Sequence, residues 1–500
     1  MEEKKAYEET SDSPLRWNPP MPSGFKEYEE LVDADVIKGT AFSKQWLFTV
    51  LMKLIQEVDK QNESKNTENE FGVDVDEDLQ DELCNLWDMS MNSDVVVFMR
   101  EFKSVELLSA VIANSRAPRV TEICVGILGN LACNETVCRE MSADQNFIHM
   151  VLLLLQNPDG LCLVQTFRLL YSCLGYEAGQ SAWISAIKQQ ENEILEQIKF
   201  IMTSSTNVEL LKNTGELVNI LMDLDDVLCR RWSEASLLTS MFEAIKEIGY
   251  EPCPALEIYI HNFQLMSCTE KGAEALDSMS VQLQKLLMKY LIYLCDEPIV
   301  AVDIKAKYLA AVLSLISLIF LQNSKFDINA FYKGDMLPKC LLKILEALFP
   351  YIFHAVKILT PNKVPNRRHS VSVIEDLATF KKYRWDKDVS ECEEALVILY
   401  SSLQAAVANF LWLIPETAVE DSVWSQILHY LDTECAELHL HYLVMIIQDL
   451  SHEVKSPVEY LKVVSDSNGL YRLHHIVVDS ISHQMNKEPT SRHQTKSSVT

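Results

Sequence analysis

Two basic clusters and one serine form the most specific chemical pattern in this chain of 500 residues. Arg367 and Arg368, a spacer of 12 residues, then Lys381, Lys382 and Arg384 place two cations ahead of three among five. An extended chain with that spacing sets two Lys/Arg clusters into two acidic, tryptophan-lined pockets of an import receptor, which is the chemistry of a bipartite nuclear-import signal. Ser370 lies in Arg367-Arg368-His369-Ser370-Val371, the Arg-Arg-x-Ser-apolar pattern of a basophilic kinase substrate. A phosphate there brings about −1.5 to −2 charges beside the cations, so the two readings are coupled. A plain solvated loop is the alternative to both.

Other residue types that carry chemistry lack the spacing for it. His439 and His441 are two apart, which on a helix points them about 200° apart rather than at one ion. Asp74, Asp76 and Asp78 imitate the start of a calcium loop, but Leu79 and Asn85 stand where it needs Gly and an acid. No His-Glu-x-x-His, Gly-x-Ser-x-Gly or glycine-rich phosphate loop occurs. The 13 cysteines form no Cys-x-x-Cys pair, and Cys124, Cys162, Cys173 and Cys295 sit at apolar helical positions. They read as buried thiols in a reducing compartment. The chain is therefore read as a non-enzyme without metal or cofactor; a Cys-based site is the rival.

The surrounding elements are helical. Glycine is scarce, 13 in all, which leaves few of the positive-φ turns that sheets need. Hydrophobic residues make up 48% of the chain, and the formal charge of −28 repels phosphate backbones, so nucleic acid is not expected as a partner. Residues 1–38 are acidic and proline-bearing and are expected to be disordered, as is the Ser/Thr/Lys-rich tail 486–500. Met1-Glu2-Glu3-Lys4-Lys5 has no apolar h-region, so no signal peptide is expected. Ser43 is placed to cap a first helix carrying Trp46, Leu47, Val50, Leu51, Leu54 and Ile55. Residues 59–82 read as an acidic loop, with eight acids and no base from Glu68 to Glu82, and 360–390 as a basic loop. Tyr308–Ser324 and Ala395–Pro415 are uncharged for 17 and 21 residues, long enough to test as membrane spans. Ser401, Ser402, Gln404 and Asn409 spread around the second, so buried helices are expected and no membrane.

A repeat organises these helices. Val120, Ile123, Cys124, Ile127, Leu128 and Leu131 fall on one helical stripe, and Leu163, Phe167, Leu170 and Leu174 repeat it. Shorter apolar helices precede each, starting near Ser104 and Phe147, about 43 residues apart, within the range of armadillo and HEAT repeats. Leu128-Gly129-Asn130-Leu131-Ala132 resembles the end of an armadillo third helix. The expectation is an all-α, right-handed armadillo/HEAT-like solenoid over 39–485 with roughly 18 to 20 helices. In such proteins an Asn at the place of Asn130 bonds the backbone of an extended peptide in the concave groove. Asn130 is thus the candidate partner-binding residue, with a local structural cap as the alternative. Trp46, Trp87, Trp183 and Trp412 read as core.

Four strings extend the comparison: Phe42 to Phe48, Leu86 to Met91, Glu122 to Asn130 and Phe200 to Val208. Together they resemble the serum amyloid A-like, or synoviocyte proliferation-associated, protein family. The resemblance implies an armadillo-like fold, a nuclear setting and promotion of cell proliferation, notably of synovial fibroblasts under inflammatory stimuli; the location expected for the chain is the nucleus with some in the cytoplasm. It implies no catalytic or ligand residues. The function expected is a non-enzymatic interaction scaffold holding basic or extended peptides in its groove, with a nuclear-transport or cargo adaptor as the alternative.

Overall fold

The computed structural model describes residues 43–63, 74–297, 300–322, 336–359, 391–414, 422–434, 440, 443–444 and 457–485. Among them the secondary structure is helical and no β-strand forms. The expectations for 1–38, 360–390 and 486–500 lie outside the described residues. So do Arg367, Arg368, Ser370, Lys381, Lys382 and Arg384. The chain divides into two compact units, Met1–Leu228 and Cys229–Thr500, where the sequence alone suggests one body.

In the first unit α1 (Lys44–Glu63) and α2 (Glu77–Met89) precede three helical triplets. These are α3 (Ser93–Glu101), α4 (Ser104–Asn114) and α5 (Pro118–Leu131); α6 (Glu135–Ala143), α7 (Gln145–Leu154) and α8 (Gly160–Leu174); and α9 (Glu177–Gln189), α10 (Glu191–Ser204) and α11 (Val208–Leu224). The third helices begin at Pro118, Gly160 and Val208, 42 and 48 residues apart.

Their boundaries follow from capping chemistry. The hydroxyl of Ser43 accepts the Trp46 amide at 3.1 Å, as its position suggests. Asp76 caps α2 by accepting from the amides of Asp78 and Leu79, which gives this one aspartate a structural purpose. Asn92, Asn134 and Asn207 cap α3, α6 and α11 in the same way, and Pro118 fills the first turn of α5, where no amide hydrogen is required.

The structure corrects two local expectations. Segment 59–82 is not one loop, because α1 runs to Glu63 and α2 begins at Glu77. Between the stripe that ends at Leu131 and the helix expected from near Phe147, where the repeat places no helix, lies α6. Only Val137, Cys138, Met141 and Ser142 of its nine residues are buried, too short a stripe for periodicity to reveal.

Helix α5 packs against α2, α4 and α8, and α8 against α7 and α11. Every residue from Val120 to Leu131 is buried as a result. Each of Ile123, Ile127 and Leu128 contributes roughly 1.5–3 kcal/mol on burial, against at most about 1 kcal/mol for a partly exposed ion pair such as Arg119–Glu122. The apolar stripe therefore fixes where α5 sits.

In the second unit, which α12 (Asp226–Trp232) enters, the helices are α13 (Ala235–Ile248), α14 (Pro254–Ser267), α15 (Glu270–Ser278), α16 (Ser280–Leu294), α17 (Val302–Gln322), α18 (Met336–Leu359), α19 (Glu391–Trp412), α20 (Ser422–His429), α21 (Pro457–Ser467) and α22 (Tyr471–Met485). Among the described residues two helices, within α17 and α19, are long and apolar enough to cross a membrane, and they pack along one another. Asn409 donates its amide to Ser317 Oγ at 2.8 Å across that contact, and Phe320 and Phe410 meet at 5.6 Å between ring centroids. The polar residue inside the apolar run thus has an internal partner. Trp412 departs from the core expectation: it is 40% exposed and stacks on Tyr460 at 5.0 Å.

Candidate functional site

Helices α2, α5, α8 and α11 lie side by side in the first unit, and polar side chains tie each to the one before. Asn130 of α5 donates its amide hydrogens to the Trp87 carbonyl at 3.0 Å and to Ser90 Oγ at 2.8 Å, both at the end of α2. Arg168 of α8 donates from Nη2 to the Gly126 carbonyl and to Asn130 Oδ1, each at 2.9 Å. Asn213 of α11 donates to the Val164 carbonyl of α8 at 3.1 Å. Each of the three reaches back one triplet, spanning 43, 42 and 49 residues to its backbone acceptor.

Two glycines make this close approach possible. A Cβ on Gly126 would fall 2.3 Å from the Trp87 ring, and one on Gly129 would fall 3.2 Å from Arg168 Nη2. Glycine inside a helix costs about 1 kcal/mol relative to alanine, so two of them in one buried helix mark a place where something else must fit. The indole of Trp87 and the guanidinium of Arg168 occupy the two places, with Asn130 bonded to both residues.

The electrostatics of the face are uneven. Arg119 pairs with Glu122 through Nη1 at 2.7 Å and donates from Nη2 to Cys84 Sγ at 3.4 Å; the hydrogen bond to Glu122 holds its guanidinium above the usual range. Lys212 and Glu216 of α11 pair at 3.6 Å. Burial pulls the Arg168 guanidinium below the ordinary arginine value, offset only in part by charges at a distance, Glu209 among them. Its Nε is enclosed without an acceptor.

Asn130, the candidate partner-binding residue, is only 5% exposed, and both of its amide hydrogens have internal acceptors. To donate to an external peptide the amide would have to give up one of those acceptors; its oxygen, which accepts from Arg168, keeps one lone pair. Sequence reasoning missed Trp87, Arg168 and Asn213 as its companions. The mid-helix glycines were the available signal, whereas Arg168 is hidden between Phe167 and Leu169 in an apolar run. Trp46 and Trp183 are buried as expected, and Trp87 is half-buried.

Cys124 and Cys162 are fully enclosed; burial pushes the Cys124 thiol far up and the Cys162 thiol to about 11. Such thiols are poor nucleophiles at neutral pH. Among the described residues no group of three or more His, Cys, Asp or Glu is placed to hold a metal ion. An open cleft of about 760 Å³ lies elsewhere in the unit, where Arg100 and Glu140 form a bidentate pair across α3 and α6.

With this geometry in view, the known proteins that resemble the chain can be placed. Residues 194–451 match the family model described as the SAAL1 C-terminal domain. Protein saal1 of Danio rerio is 39% identical over 281 residues, covering 54% of this chain and 59% of that protein. Protein SAAL1 of Homo sapiens is 34% identical over 339 residues, covering 62% and 71%, and Protein SAAL1 of Mus musculus 33% identical over 355 residues, covering 66% and 75%. The chain thus spans less than two thirds of the Danio rerio relative and about three quarters of the Mus musculus one. A family model over half of the chain, joined to relatives above 30% identity over most of their length, makes this chain a member of the SAAL1 family.

Proposed function

We propose that the chain is a non-enzymatic interaction scaffold, a right-handed armadillo-like solenoid that receives an extended segment of a partner protein across α2, α5, α8 and α11. The observation that carries this reading is the recurrence of one device, a polar side chain reaching back to the preceding helix of the row α2, α5, α8 and α11, at Asn130, Arg168 and Asn213. Regular stacking of third helices makes the long, shallow face on which armadillo-type proteins hold peptides. Enclosure of Cys124 and Cys162 takes those two thiols out of the running for a Cys-based enzyme. The net charge of −28 favours partners that are basic around the contact. The family resemblance adds a nuclear role in promoting proliferation.

A photo-crosslinking amino acid tests the face directly. Placed at Leu161 or Tyr171 of α8, 52% and 43% exposed, it should yield adducts with partner proteins in cells. Placed at Leu153 of α7, 50% exposed, it should not. Equal adducts from all three positions, or none from any, would sink the reading.

Nuclear import through Arg367, Arg368, Lys381, Lys382 and Arg384 belongs to the same proposal. Alanines at Arg367 and Arg368 should move a fluorescent fusion of the chain from nucleus to cytoplasm, and Ser370→Asp should shift it part of the way, since a carboxylate offsets only some of the adjacent charge. Unchanged nuclear accumulation of the alanine variant would remove the import signal from the proposal.

A further inference from the structure

Arg168 is a half-buried cation without an anion. Among the described residues no carboxylate lies within ion-pair distance of it, and only Nη2 has hydrogen-bond acceptors, Gly126 O and Asn130 Oδ1. Scarcity of acids is not the reason, since the chain carries 72 acidic residues against 44 basic ones. Arg119 of α5 and Lys212 of α11, on the helices to either side of α8, do have carboxylate partners. Desolvating a cation costs several kcal/mol unless an opposite charge or well-aimed dipoles offset it, and two carbonyl-type dipoles offset only part.

The cation is also held in place before any ligand arrives. Gly129 leaves the room that a Cβ 3.2 Å from Nη2 would crowd. Asn130 Oδ1 is aimed at Arg168 because the other end of that amide is bonded to Trp87 O and Ser90 Oγ. A guanidinium fixed in this way loses little side-chain freedom on binding, and with both Nη2 hydrogens spent and Nε enclosed it has Nη1 left to donate to a single carboxylate oxygen. Leu161 and Tyr171, two turns before and one turn after it on α8, present exposed apolar surface to the residues on either side.

The geometry points to Arg168 as the anchor for an acidic side chain, Asp or Glu, flanked by apolar residues in an extended segment of a partner protein. This rests on the groove reading above. An interior side chain is favoured over a chain end because α8 has neighbours on both sides, α5 and α11, across which the segment continues. The segment can still be basic elsewhere; the acid answers this one position.

Selection of a phage-displayed library of random linear dodecapeptides on the full-length chain tests the idea. Enriched peptides should share one Asp or Glu next to apolar residues. In synthetic peptides, Asp→Asn or Glu→Gln should weaken binding to the unaltered chain at least about tenfold, the size of a charge-assisted hydrogen-bonded pair. On Arg168→Gln the acidic peptide and its amide analogue should bind alike. Continued binding of the amide analogue by that variant, at the strength seen with the unaltered chain, shows that its face is intact. Enriched peptides without a shared acid, or acid dependence that persists in Arg168→Gln, would overturn the anchor and leave the groove reading standing. Loss of binding on amidating the peptide C-terminus alone would overturn the side-chain assignment. Failure to enrich any peptide would bring down both.

Discussion

Asn130→Ala is expected to lower the stability of the chain by about 3 kcal/mol, because one side chain closes three hydrogen bonds in a buried setting. Its amide hydrogens serve Trp87 O and Ser90 Oγ, and its oxygen accepts from the Arg168 guanidinium. A neutral bond is worth about 0.5–1.5 kcal/mol net and one to a charged donor about 1.5–3, while each buried group left unpaired adds its own cost. Ser90 retains some bonding, since its hydroxyl also donates to Trp87 O at 2.6 Å. Urea unfolding of the full chain, followed by circular dichroism, should show the transition that contains α5 moving to lower denaturant. A loss below about 0.5 kcal/mol would mean that these bonds are dispensable. Asn130→Asp separates the terms. Its carboxylate would accept from Arg168 and supply the missing counter-charge, but it cannot donate to Trp87 O or Ser90 Oγ. A smaller loss, about 1–2 kcal/mol, is expected. The same variant should abolish any preference for acidic peptides, because Arg168 would already have its anion.

The contrast between Asn130 and Arg168 shows what single-sequence reasoning reaches. The stripes Val120 to Leu131 and Leu163 to Leu174 were legible because apolar periodicity reports directly on burial. The offset of about 43 residues holds for the first pair of third helices, which start 42 apart, and stretches to 48 for the next. Helix α6 was not legible, since nine residues with so few buried positions carry less periodic signal than their polar flanks. Asn130 stood out by its type beside a glycine. Its role did not, because a buried amide and a groove-facing amide look alike until the partners across 43 residues are known. Arg168 was hidden for the opposite reason: a cation within Thr166-Phe167-Arg168-Leu169-Leu170 reads as the solvated edge of an amphipathic helix. Only the acceptors contributed by α5 reveal that its charge is drawn inward.

Trp87 and Gly126 should be coupled by about 3 kcal/mol, the strongest pairwise effect expected in the site. In the unaltered chain Gly126→Ala puts a methyl 2.3 Å from Cε2 and Cζ2 of Trp87 and 2.7 Å from its Nε1. No van der Waals contact survives at that distance, so the indole must leave or α2 must move away from α5. Overpacking of this kind costs typically about 1–3 kcal/mol, and the displaced indole takes further contacts with it. Against that stands a gain of about 1 kcal/mol from replacing glycine by alanine in a helix. Steric cost wins, and a net loss of about 2 kcal/mol is expected. Trp87→Ala alone should cost about 3 kcal/mol, the low end for tryptophan because the side chain is only half-buried. On that background the sign reverses: with the indole gone, the three atoms nearest the new Cβ are removed, and Gly126→Ala keeps its helix-propensity gain and should stabilise by about 1 kcal/mol. Four urea titrations, of the unaltered chain, the two single variants and the double variant, close the cycle. Additive losses would show that the missing Cβ at Gly126 does not make room for Trp87, whereas a change of sign would establish why a helix this deeply buried carries a glycine at its centre.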